Sequence, residues 1–494
     1  MTLLERDLRP HDSNPSPLRL IAEQAFSRAA GAPLVAGNAV RILKDAEENY
    51  PAWLDAIHAA RRTIFFENYI VADDRVGREF VTALARKARA GVRVYALYDW
   101  MGGLGAGSSA LWRPLVDAGG SVRCFNPPRL DSPFAWLTRD HRKTITIDGA
   151  VGYVSGLCVS RKWQGDRTRR IEPWRDTGVE VRGPAVADIE AAFAQMWAVT
   201  GAPLPQTDLA DSTAVPASGD VTLRVLATVP NLAGLYRLDQ LIAAMATRTL
   251  WLTDAYFLGM SPYVQALRAA AFDGVDVRLL VPGASDLPIM SRLSRTGYRA
   301  LLEAGIRVFE WNGPMLHAKT AVADGRWARI GSTNLNIASW IGNYELDVAI
   351  EDARMAQEME MLYENDLSNA TEIVLGPRRR VHATARVRRE GARHRGTGSA
   401  ARAAAGALRL GNTVGAAITN RRVLGRAEAG IMKGVALGFL GLAIIGVLWP
   451  AALAWPLVAL AGWIGVSLLI RARKLQHQPP DDAADGTDPP GPLR

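Results

Sequence analysis

Two stretches of the chain repeat the same order of apolar and polar positions. In the first, the apolar run TIFFENYI from Thr63 to Ile70 precedes the amphipathic VGREFVTALARKARAG, and the apolar VRVYALYD follows. In the second, LWLTDAYF from Leu250 to Phe257 precedes YVQALRAAAFDG, and VDVRLLVP follows. A strand, a helix and a strand, with glycine before the second strand, predict a β–α–β unit with parallel strands in each stretch.

Each unit leads, through a further predicted helix, to a pair of short apolar runs. TITI and VGYVSG flank Asp148-Gly149, whereas TAVA and ARIGS flank Asp324-Gly325. An Asp-Gly pair between two alternating runs is a strong signal for a β-hairpin. The pattern therefore predicts an α/β fold made of two pseudo-symmetric halves, each a mixed sheet flanked by helices.

The remaining segments differ from these halves in composition. Residues 201–220 lack apolar periodicity and are rich in turn formers, and residues 377–396 are an arginine tract without apolar anchors. The first residues, MTLLERDLRPHDSNPSPLRL, lack the continuous apolar core of a secretory signal. We predict an N-terminal extension (1–36), a first half (37–200), a linker (201–220), a second half (221–373), an Arg-rich linker (374–432), a hydrophobic helical hairpin (433–471) and a disordered tail (472–494).

The uncharged stretch from Gly434 to Ile470 is longer than one bilayer-spanning helix requires. Folded back at WPAALAWP (449–456), it gives two segments that are each just long enough to cross. Basic residues on both sides predict that both ends of the hairpin stay on the cytoplasmic side of the membrane. A buried helical hairpin or a dimerisation element is the alternative.

Charge and cysteine content narrow the functional classes. The 494 residues carry a net charge of +9, which favours nucleic acid, an acidic bilayer or a phosphorylated substrate as partner. Cys124 and Cys158 are too few for a disulfide framework and lack the spacing of zinc ligands. A reducing compartment is the natural expectation.

The hairpins carry the candidate chemistry. Because alternate strand residues share a face, His141 and Lys143 project together, and so do His317 and Lys319. If the halves pack about a pseudo-twofold axis, two imidazoles and two ammonium groups meet in one pocket. Such a pocket suits a phosphodiester, with Asp148 and Asp324 orienting the histidines and no metal required.

HRKTITIDG with its SG, and HAKTAVADG with GSTN, resemble the two HKD motifs of the phospholipase D superfamily. The resemblance covers residues 40–373, and GNAVRILKDAEENYPAWLDAIHAARRTIFFENYI with WRDTGVEVRGPAV is similar to the bacterial cardiolipin synthase branch. It implies two phospholipase D-like halves sharing one active site, a phosphohistidine intermediate and no cofactor. It also implies phospholipid substrates, with phosphatidyl transfer to a second phosphatidylglycerol or a related lipid and release of glycerol.

The resemblance implies a role for each matching residue. His141 is the expected nucleophile and His317 the acid/base, although the order could be reversed. Lys143, Lys319 and Asn334 are expected to hold phosphate oxygens, and Asp148 and Asp324 to buttress the histidines. Other candidates lie nearby: Ser155 and Ser332 as hydroxyl donors or turn residues, and Glu67, Glu180, Asp254 and Glu345 as pocket residues or solvated strand ends. Trp163, Trp174 and Trp340 are candidates for lipid contact or for core packing.

The first motif departs from the family pattern at Cys158, which stands where the second motif has Asn334. A thiol is a poor donor to phosphate, so the site is expected to be asymmetric unless Cys158 simply packs. Three alternatives stay open: hydrolysis to phosphatidic acid, cleavage of nucleic-acid phosphodiesters, and a non-catalytic scaffold that binds anionic lipid. The hydrophobic hairpin argues against nucleic acid as partner, and the oligomeric state is not predicted.

Overall fold

The strands lie close to the predicted apolar runs. The computed structural model describes residues 17–104, 109–128, 137–211, 214–375, 381–383, 437–438, 440–441 and 444–476. The first seven strands are β1 (Val35–Lys44), β2 (Thr63–Asn68), β3 (Arg93–Asp99), β4 (Ser121–Phe125), β5 (Lys143–Ile147), β6 (Val151–Ser155) and β7 (Thr177–Arg182). The others are β8 (Val221–Thr228), β9 (Thr249–Thr253), β10 (Asp276–Pro282), β11 (Arg307–Trp311), β12 (Thr320–Ala323), β13 (Trp327–Gly331), β14 (Glu345–Ile350), β15 (Ala370–Leu375) and β16 (Val381–Ala383).

Helices connect these strands. They are α1 (Pro17–Ala30), α2 (Asp45–Ala59), α3 (Arg75–Arg89), α4 (Trp100–Gly103), α5 (Arg113–Asp117), α6 (Arg161–Gln164), α7 (Ala185–Val199), α8 (Gly234–Met245), α9 (Ser261–Phe272), α10 (Pro288–Leu302), α11 (Ala353–Leu367) and α12 (Pro450–Gln476). Short 3-10 turns cover Ser109–Trp112, Arg167–Arg169 and Gln206–Asp208, and a π-helical turn covers Ala338–Gly342.

All the strands belong to one mixed sheet. Its order is β16-β15-β11-β10-β9-β12-β13-β14-β8-β1-β7-β6-β5-β2-β3-β4. The predicted β–α–β units are confirmed, because β2 pairs in parallel with β3, and β9 pairs in parallel with β10. Strand β4 extends the first parallel set and β11 extends the second.

The order of the first half is repeated outwards from the centre of the sheet. Reading from β1 the order is β1-β7-β6-β5-β2-β3-β4, and reading from β8 it is β8-β14-β13-β12-β9-β10-β11. The two halves join where β1 pairs antiparallel with β8, at Val35 with Leu223 and Asn38 with Val221. The repeated pattern in the sequence therefore corresponds to a repeated topology.

Both predicted hairpins form. Strands β5 and β6 pair antiparallel around Asp148-Gly149, and β12 and β13 pair around Asp324-Gly325. The φ angles are 57° at Asp148, 67° at Gly149, 54° at Asp324 and 64° at Gly325. Two successive positive φ angles are the geometry of a type I′ turn, which explains the Asp-Gly sequence.

Helices cover both faces of the sheet because neighbouring strand residues point in opposite directions. In β2, Phe66 packs with Trp53 and Phe80 from α2 and α3, while Phe65 packs with Phe193 from α7. Fully burying one such aromatic side chain stabilises a fold by about 1.5–3 kcal/mol. The second half repeats the arrangement, with α8, α9 and α10 on one face and α11 on the other.

Three segments outside the predicted halves also contribute to this fold. Within the predicted N-terminal extension, α1 places Ala30 in the hydrophobic core of the second half. In the predicted linker, Leu204 is buried in the first half and Asp208 accepts a hydrogen bond from Tyr95. The sheet also continues beyond the predicted boundary at residue 373, through the antiparallel pair β15 and β16.

The C-terminal hydrophobic stretch differs from its prediction in one respect. Helix α12 begins at Pro450 and continues through Pro456, so the predicted turn over residues 449–456 is not formed. Pro450 is tolerated in the first turn, where its missing N–H has no partner to lose, whereas Pro456 lies inside the helix. Within the described ranges, no helix combines the length and apolar character needed to cross a bilayer. Much of 433–443, nearly all of the Arg-rich linker and residues 477–494 lie outside the described residues.

Candidate active site

Both histidine–lysine pairs lie where a central strand of the sheet ends. Lys143 begins β5 and pairs with Asn68, the last residue of β2. Thr320 begins β12 and pairs with Thr253, the last residue of β9, which places Lys319 at the corresponding point. The hairpins therefore present both pairs at the carboxyl ends of the parallel strands.

His141 is held by residues of the second half. Its Nδ1 lies 2.9 Å from Oε2 of Glu345, and its backbone N–H donates to the carbonyl oxygen of Tyr344 at 2.9 Å. Glu345 also accepts hydrogen bonds from Ser332 Oγ at 2.6 Å and Asn343 Nδ2 at 3.2 Å. Three side chains thus hold the carboxylate of Glu345. Because this carboxylate contacts Nδ1 of His141, Nε2 is the ring nitrogen that remains available for chemistry.

His317 is held by residues of the first half. Its Nδ1 lies 2.8 Å from Oδ2 of Asp176, and its backbone N–H donates to the carbonyl oxygen of Arg175 at 2.7 Å. The same carboxylate oxygen accepts a hydrogen bond from Trp163 Nε1 at 2.8 Å. Because Asp176 is ionised, we assign the hydrogen on Nδ1 to this contact, which again leaves Nε2 available.

The two lysines connect the halves electrostatically. Lys319 Nζ lies 2.7 Å from Nδ1 of His317 and also donates to the carbonyl oxygen of the same residue. Lys143 donates to the carbonyl oxygen of His141. Each ammonium lowers the pKa of the histidine in the other half, Lys319 at His141 and Lys143 at His317. The four groups therefore lie close enough together to influence one another.

Burial and neighbouring charges together set the proton affinities at this site. It lowers the pKa of His141, and together with Lys319 it lowers the pKa of His317 to about 3. Burial alone raises the pKa of Asp176, but Lys319 and His317 bring it down to about 2. In the same way, His141 and Lys143 outweigh burial and lower the pKa of Glu345. At neutral pH both imidazoles are neutral and both carboxylates are ionised.

The two halves differ at the position that follows each hairpin. Asn334 is buried, and its Oδ1 has no hydrogen-bond partner among the described residues. Cys158, the equivalent residue, is packed in the hydrophobic core of the first half, where burial raises the pKa of its thiol. Ser332 contacts Glu345, whereas Ser155 accepts the backbone N–H of Leu157 at 3.2 Å. At these two equivalent positions, the second half therefore has more polar groups than the first.

The prediction that Asp148 and Asp324 buttress the histidines is wrong. Asp148 accepts the backbone N–H groups of Arg61, Arg62 and Thr63 at 2.7–2.9 Å. Asp324 accepts those of residues 247–249 in the same way. Strand β5 runs antiparallel to β2, so its far end lies at the amino end of β2, away from the histidine. These aspartates secure the starts of β2 and β9.

The comparisons with known proteins agree with this geometry. Residues 239–367 match the family described as cardiolipin synthase, PLD-like domain. Cardiolipin synthase A of Pseudomonas entomophila (strain L48) is 32% identical over 366 residues, which cover 73% of this chain and 75% of that protein. The chain belongs to the cardiolipin synthase family of the phospholipase D superfamily.

Other members and a solved structure are consistent with this membership. Cardiolipin synthase of Alkalihalophilus pseudofirmus is 33% identical over 349 residues, which cover 69% of this chain and 68% of that family member. The crystal structure of phosphatidylserine synthase from Haemophilus influenzae Rd KW20 has a TM-score of 0.56 at 15% identity, over 71% of this chain and 91% of that one. That likeness shows a shared fold.

The other predicted acidic residues have different positions. Glu67 accepts a hydrogen bond from Thr144 Oγ1 at 3.0 Å and contacts Asp140, and burial raises the pKa of both carboxyls. Asp254 accepts the N–H of Leu335, and burial raises its pKa to about 7. Glu180 pairs with Arg41 and Arg182 at the surface of the sheet. Of the predicted acidic residues, Glu345 is the one that contacts a histidine.

Sequence reasoning missed Asp176 as a functional residue. Aligning DTGVEV (176–181) with ELDVAI (345–350) by the repeat would have paired Asp176 with Glu345. It also undervalued the aromatic residues near His317, whose ring centroid lies 5.1 Å from Trp163, 5.7 Å from Trp174 and 5.8 Å from Tyr256. Trp340 is buried in the second-half core, as the packing alternative predicts.

No three of the described His, Cys, Asp and Glu side chains are grouped as a metal site would require. That the reaction proceeds without a metal stays a prediction, and activity measured in the presence of a chelator tests it directly. The described site offers imidazole, ammonium, hydroxyl and amide groups, and these are the groups that bind and cleave phosphodiesters.

Proposed function

We propose that this protein transfers a phosphatidyl group between phospholipids and forms cardiolipin and glycerol from two molecules of phosphatidylglycerol. The observation that supports this most directly is the meeting of two carboxylate-bound histidines and two lysines at one site in a member of the cardiolipin synthase family. The two ammonium groups offset the charge of a phosphodiester, and the two imidazoles divide the nucleophilic and proton-transfer roles.

The first step forms a covalent intermediate. Nε2 of His141 attacks the phosphorus of the donor lipid, and the bond between phosphorus and the glycerol headgroup oxygen breaks. His317 gives its Nε2 proton to this oxygen, so that glycerol leaves as a neutral alcohol. Lys143, Lys319 and Asn334 stabilise the phosphoryl oxygens, and the side chain of Asn334 is buried and lies two residues beyond Ser332, which contacts Glu345.

The second step releases the product. The hydroxyl group of the acceptor lipid gives its proton to Nε2 of His317, and its oxygen attacks the phosphorus. The bond between phosphorus and Nε2 of His141 then breaks, which restores both histidines. Glu345 and Asp176 keep the rings oriented and stabilise each imidazolium while it carries positive charge.

Substrate binding supplies the protonation that the first step requires. In the free protein, burial and the ammonium of Lys319 together lower the pKa of His317 to about 3. A phosphodiester anion between the lysines offsets their charge, so the pKa of His317 rises when the substrate is bound. His141 is neutral at pH 7 because burial and the two lysines lower its pKa, and a neutral imidazole is the nucleophilic form.

Sequence features support a membrane location for this reaction. The uncharged stretch from Gly434 to Ile470 is flanked by basic residues on both sides, and an arginine tract precedes it. We propose that these segments hold the two halves against the anionic cytoplasmic face of a bacterial inner membrane, where donor and acceptor lipids are both present.

Incubation of the full-length protein with labelled phosphatidylglycerol in vesicles tests the proposal. We expect cardiolipin and glycerol in equal amounts, unchanged in EDTA, and no cardiolipin from His141→Ala or His317→Ala. If phosphatidic acid forms without cardiolipin, the acceptor is water and the protein is a hydrolase. Unchanged function of His317→Ala in cells would contradict any catalytic role and favour a scaffold that binds anionic lipid.

A further inference from the structure

A segment that follows the first motif lies against His317. Residues 160–174 contain α6 and the 3-10 turn, and backbone hydrogen bonds between Asp166 and Ile171 close a small loop within them. The N–H of Trp174 donates to the carbonyl oxygen of Lys162 at 3.0 Å. We name residues 160–174 the basic segment. Trp163 Nε1 donates to Asp176, so the basic segment contacts the residue that orients His317 directly.

The inner side of the basic segment is aromatic. The rings of Trp163 and Trp174 lie 4.6 Å apart, and both lie within 6 Å of the His317 ring. Trp163 is buried, whereas Trp174 is half-buried and extends from the histidine towards the surface. An apolar surface of this kind suits the glycerol backbone of a lipid that reaches the imidazole.

The outer side of the basic segment is cationic. Residues 160–174 contain five basic and two acidic residues, a net charge of +3. Lys162, Arg167, Arg169 and Arg170 are exposed, and the ammonium of Lys162 lies 5.3 Å from the centre of the Trp174 ring. Among the described residues, the one carboxylate that pairs with these four is Asp166, at 3.8 Å from Arg169. The cationic side is therefore continuous with the aromatic surface that leads to His317.

The equivalent segment of the second half lacks the positive charge. Repeat alignment of Asp176 with Glu345 places residues 336–343, NIASWIGN, opposite the basic segment. They contain no charged residue, and Asn343 contacts Glu345 instead. On that side one aromatic ring, Tyr69 at 4.9 Å, packs beside His141. Of the two aligned segments, only the one on the His317 side of the site is charged.

We propose that the basic segment is the acceptor subsite and that it binds the phosphate of an anionic phospholipid whose free hydroxyl group faces His317. The inference rests on the proposed function, in which His317 deprotonates the acceptor. Lys162 and the three arginines bind the acceptor's own phosphate, and Trp174 contacts its glycerol backbone. An anionic lipid alcohol is thereby favoured over water and over uncharged alcohols.

A competition between two acceptors tests this proposal. The variant combines Lys162→Gln, Arg167→Gln, Arg169→Gln and Arg170→Gln. Its control combines Arg86→Gln, Arg89→Gln and Arg113→Gln, which change exposed arginines at α3 and α5. Each protein is given labelled phosphatidylglycerol and labelled glycerol together. The ratio of cardiolipin formation to glycerol exchange is expected to fall on the order of tenfold in the variant and to stay unchanged in the control.

The other outcomes overturn the proposal. If cardiolipin formation and glycerol exchange fall by the same factor, the basic segment binds the donor or the whole bilayer, and if neither falls it has no role. The measurement is repeated with short-chain phosphatidylglycerol below its micelle concentration, because a ratio that recovers there indicates attraction to the bilayer alone. Wild-type protein that makes no cardiolipin in this assay contradicts the proposed function itself and not the assignment of the segment.

Discussion

At the level of single residues, the carboxylates of the site are exchanged between the halves. Asp176 follows the first motif but orients His317, and Glu345 follows the second motif but orients His141. Each Nδ1 is occupied by this contact, so Nε2 is the ring nitrogen that remains for the proposed reaction. A change at either carboxylate is therefore expected to act on the histidine of the other half.

Asp176→Asn and Glu345→Gln are expected to lower kcat on the order of 10²- to 10⁴-fold, because an amide does not stabilise an imidazolium. Cardiolipin formation at saturating lipid measures the effect. Asp148→Asn is the matched control, since that carboxylate contacts backbone N–H groups at the opposite end of the strands from the histidines. A loss in Asp148→Asn as large as that in Asp176→Asn would contradict the assignment.

Stability is expected to decrease with acid because of His317. Its pKa is about 3 in the folded protein and about 6.5 in an unfolded chain, so the unfolded chain binds the additional proton between these values. Lowering the pH from 7 to 5 should therefore remove about 2 kcal/mol of unfolding free energy through this residue. Urea unfolding at both pH values measures it.

His317→Asn is the control for this pH dependence, because an amide does not titrate. The variant should lose less stability than the wild-type protein between pH 7 and pH 5. Equal losses in both proteins would show that His317 is not the source. Asp254, whose pKa is raised to about 7, changes stability in the opposite direction and is present in both proteins.

The sequence predicts the four basic groups of the site but not what holds them. Histidine and lysine two residues apart on a strand share a face whatever the rest of the chain does, so local geometry is sufficient for them. The partner of each histidine comes from a different half, more than 140 residues away for His317 and Asp176. The aspartate within each motif is nearer to the histidine in sequence, but it lies at the opposite end of the strand and so cannot orient the histidine.

At the level of elements, the Asp-Gly turns act as anchors as well as hairpin turns. Asp148 joins the β5–β6 turn to the start of β2, and Asp324 joins the β12–β13 turn to the start of β9. Strand existence and the turns were predictable because the alternation and the turn residues are local. The ends of the strands were less predictable, since β9 ends at Thr253 and not at Phe257.

Asp148→Ala is expected to destabilise the fold by about 2 kcal/mol, because several backbone N–H groups lose their acceptor at once. The midpoint of urea unfolding measures the change, and the activity of the protein that remains folded should equal that of the wild type. Asp324→Ala should behave alike because its contacts are equivalent. A large loss of kcat with unchanged stability would restore the role that the motif spacing predicts.

At the level of the whole molecule, the site exists because the halves join. The pairing of β1 with β8 makes one continuous sheet, and backbone contacts at His141 and His317 connect the halves again at the site. The repeat in the sequence predicts two similar units. It does not specify which surfaces meet, because that depends on contacts between residues far apart in the chain.

Neither half is expected to be active alone. Fragments 1–210 and 215–494, produced separately, should form no cardiolipin, since each lacks one histidine and the carboxylate that orients the other. Produced together, they should associate through β1 and β8 and recover activity. Activity in a single fragment would contradict a shared site, and copurification without activity would show that the chain connection is needed for alignment.

Both copies of the repeat belong to one polypeptide, so their side chains can differ at equivalent positions. A symmetric dimer must keep the same side chain at both equivalent positions. Here one copy has the packed thiol of Cys158 where the other has Asn334, and only one copy has a charged segment beside its tryptophans. Two copies within one chain can therefore give the two sides of the site different surroundings, as the proposed acceptor subsite beside His317 requires.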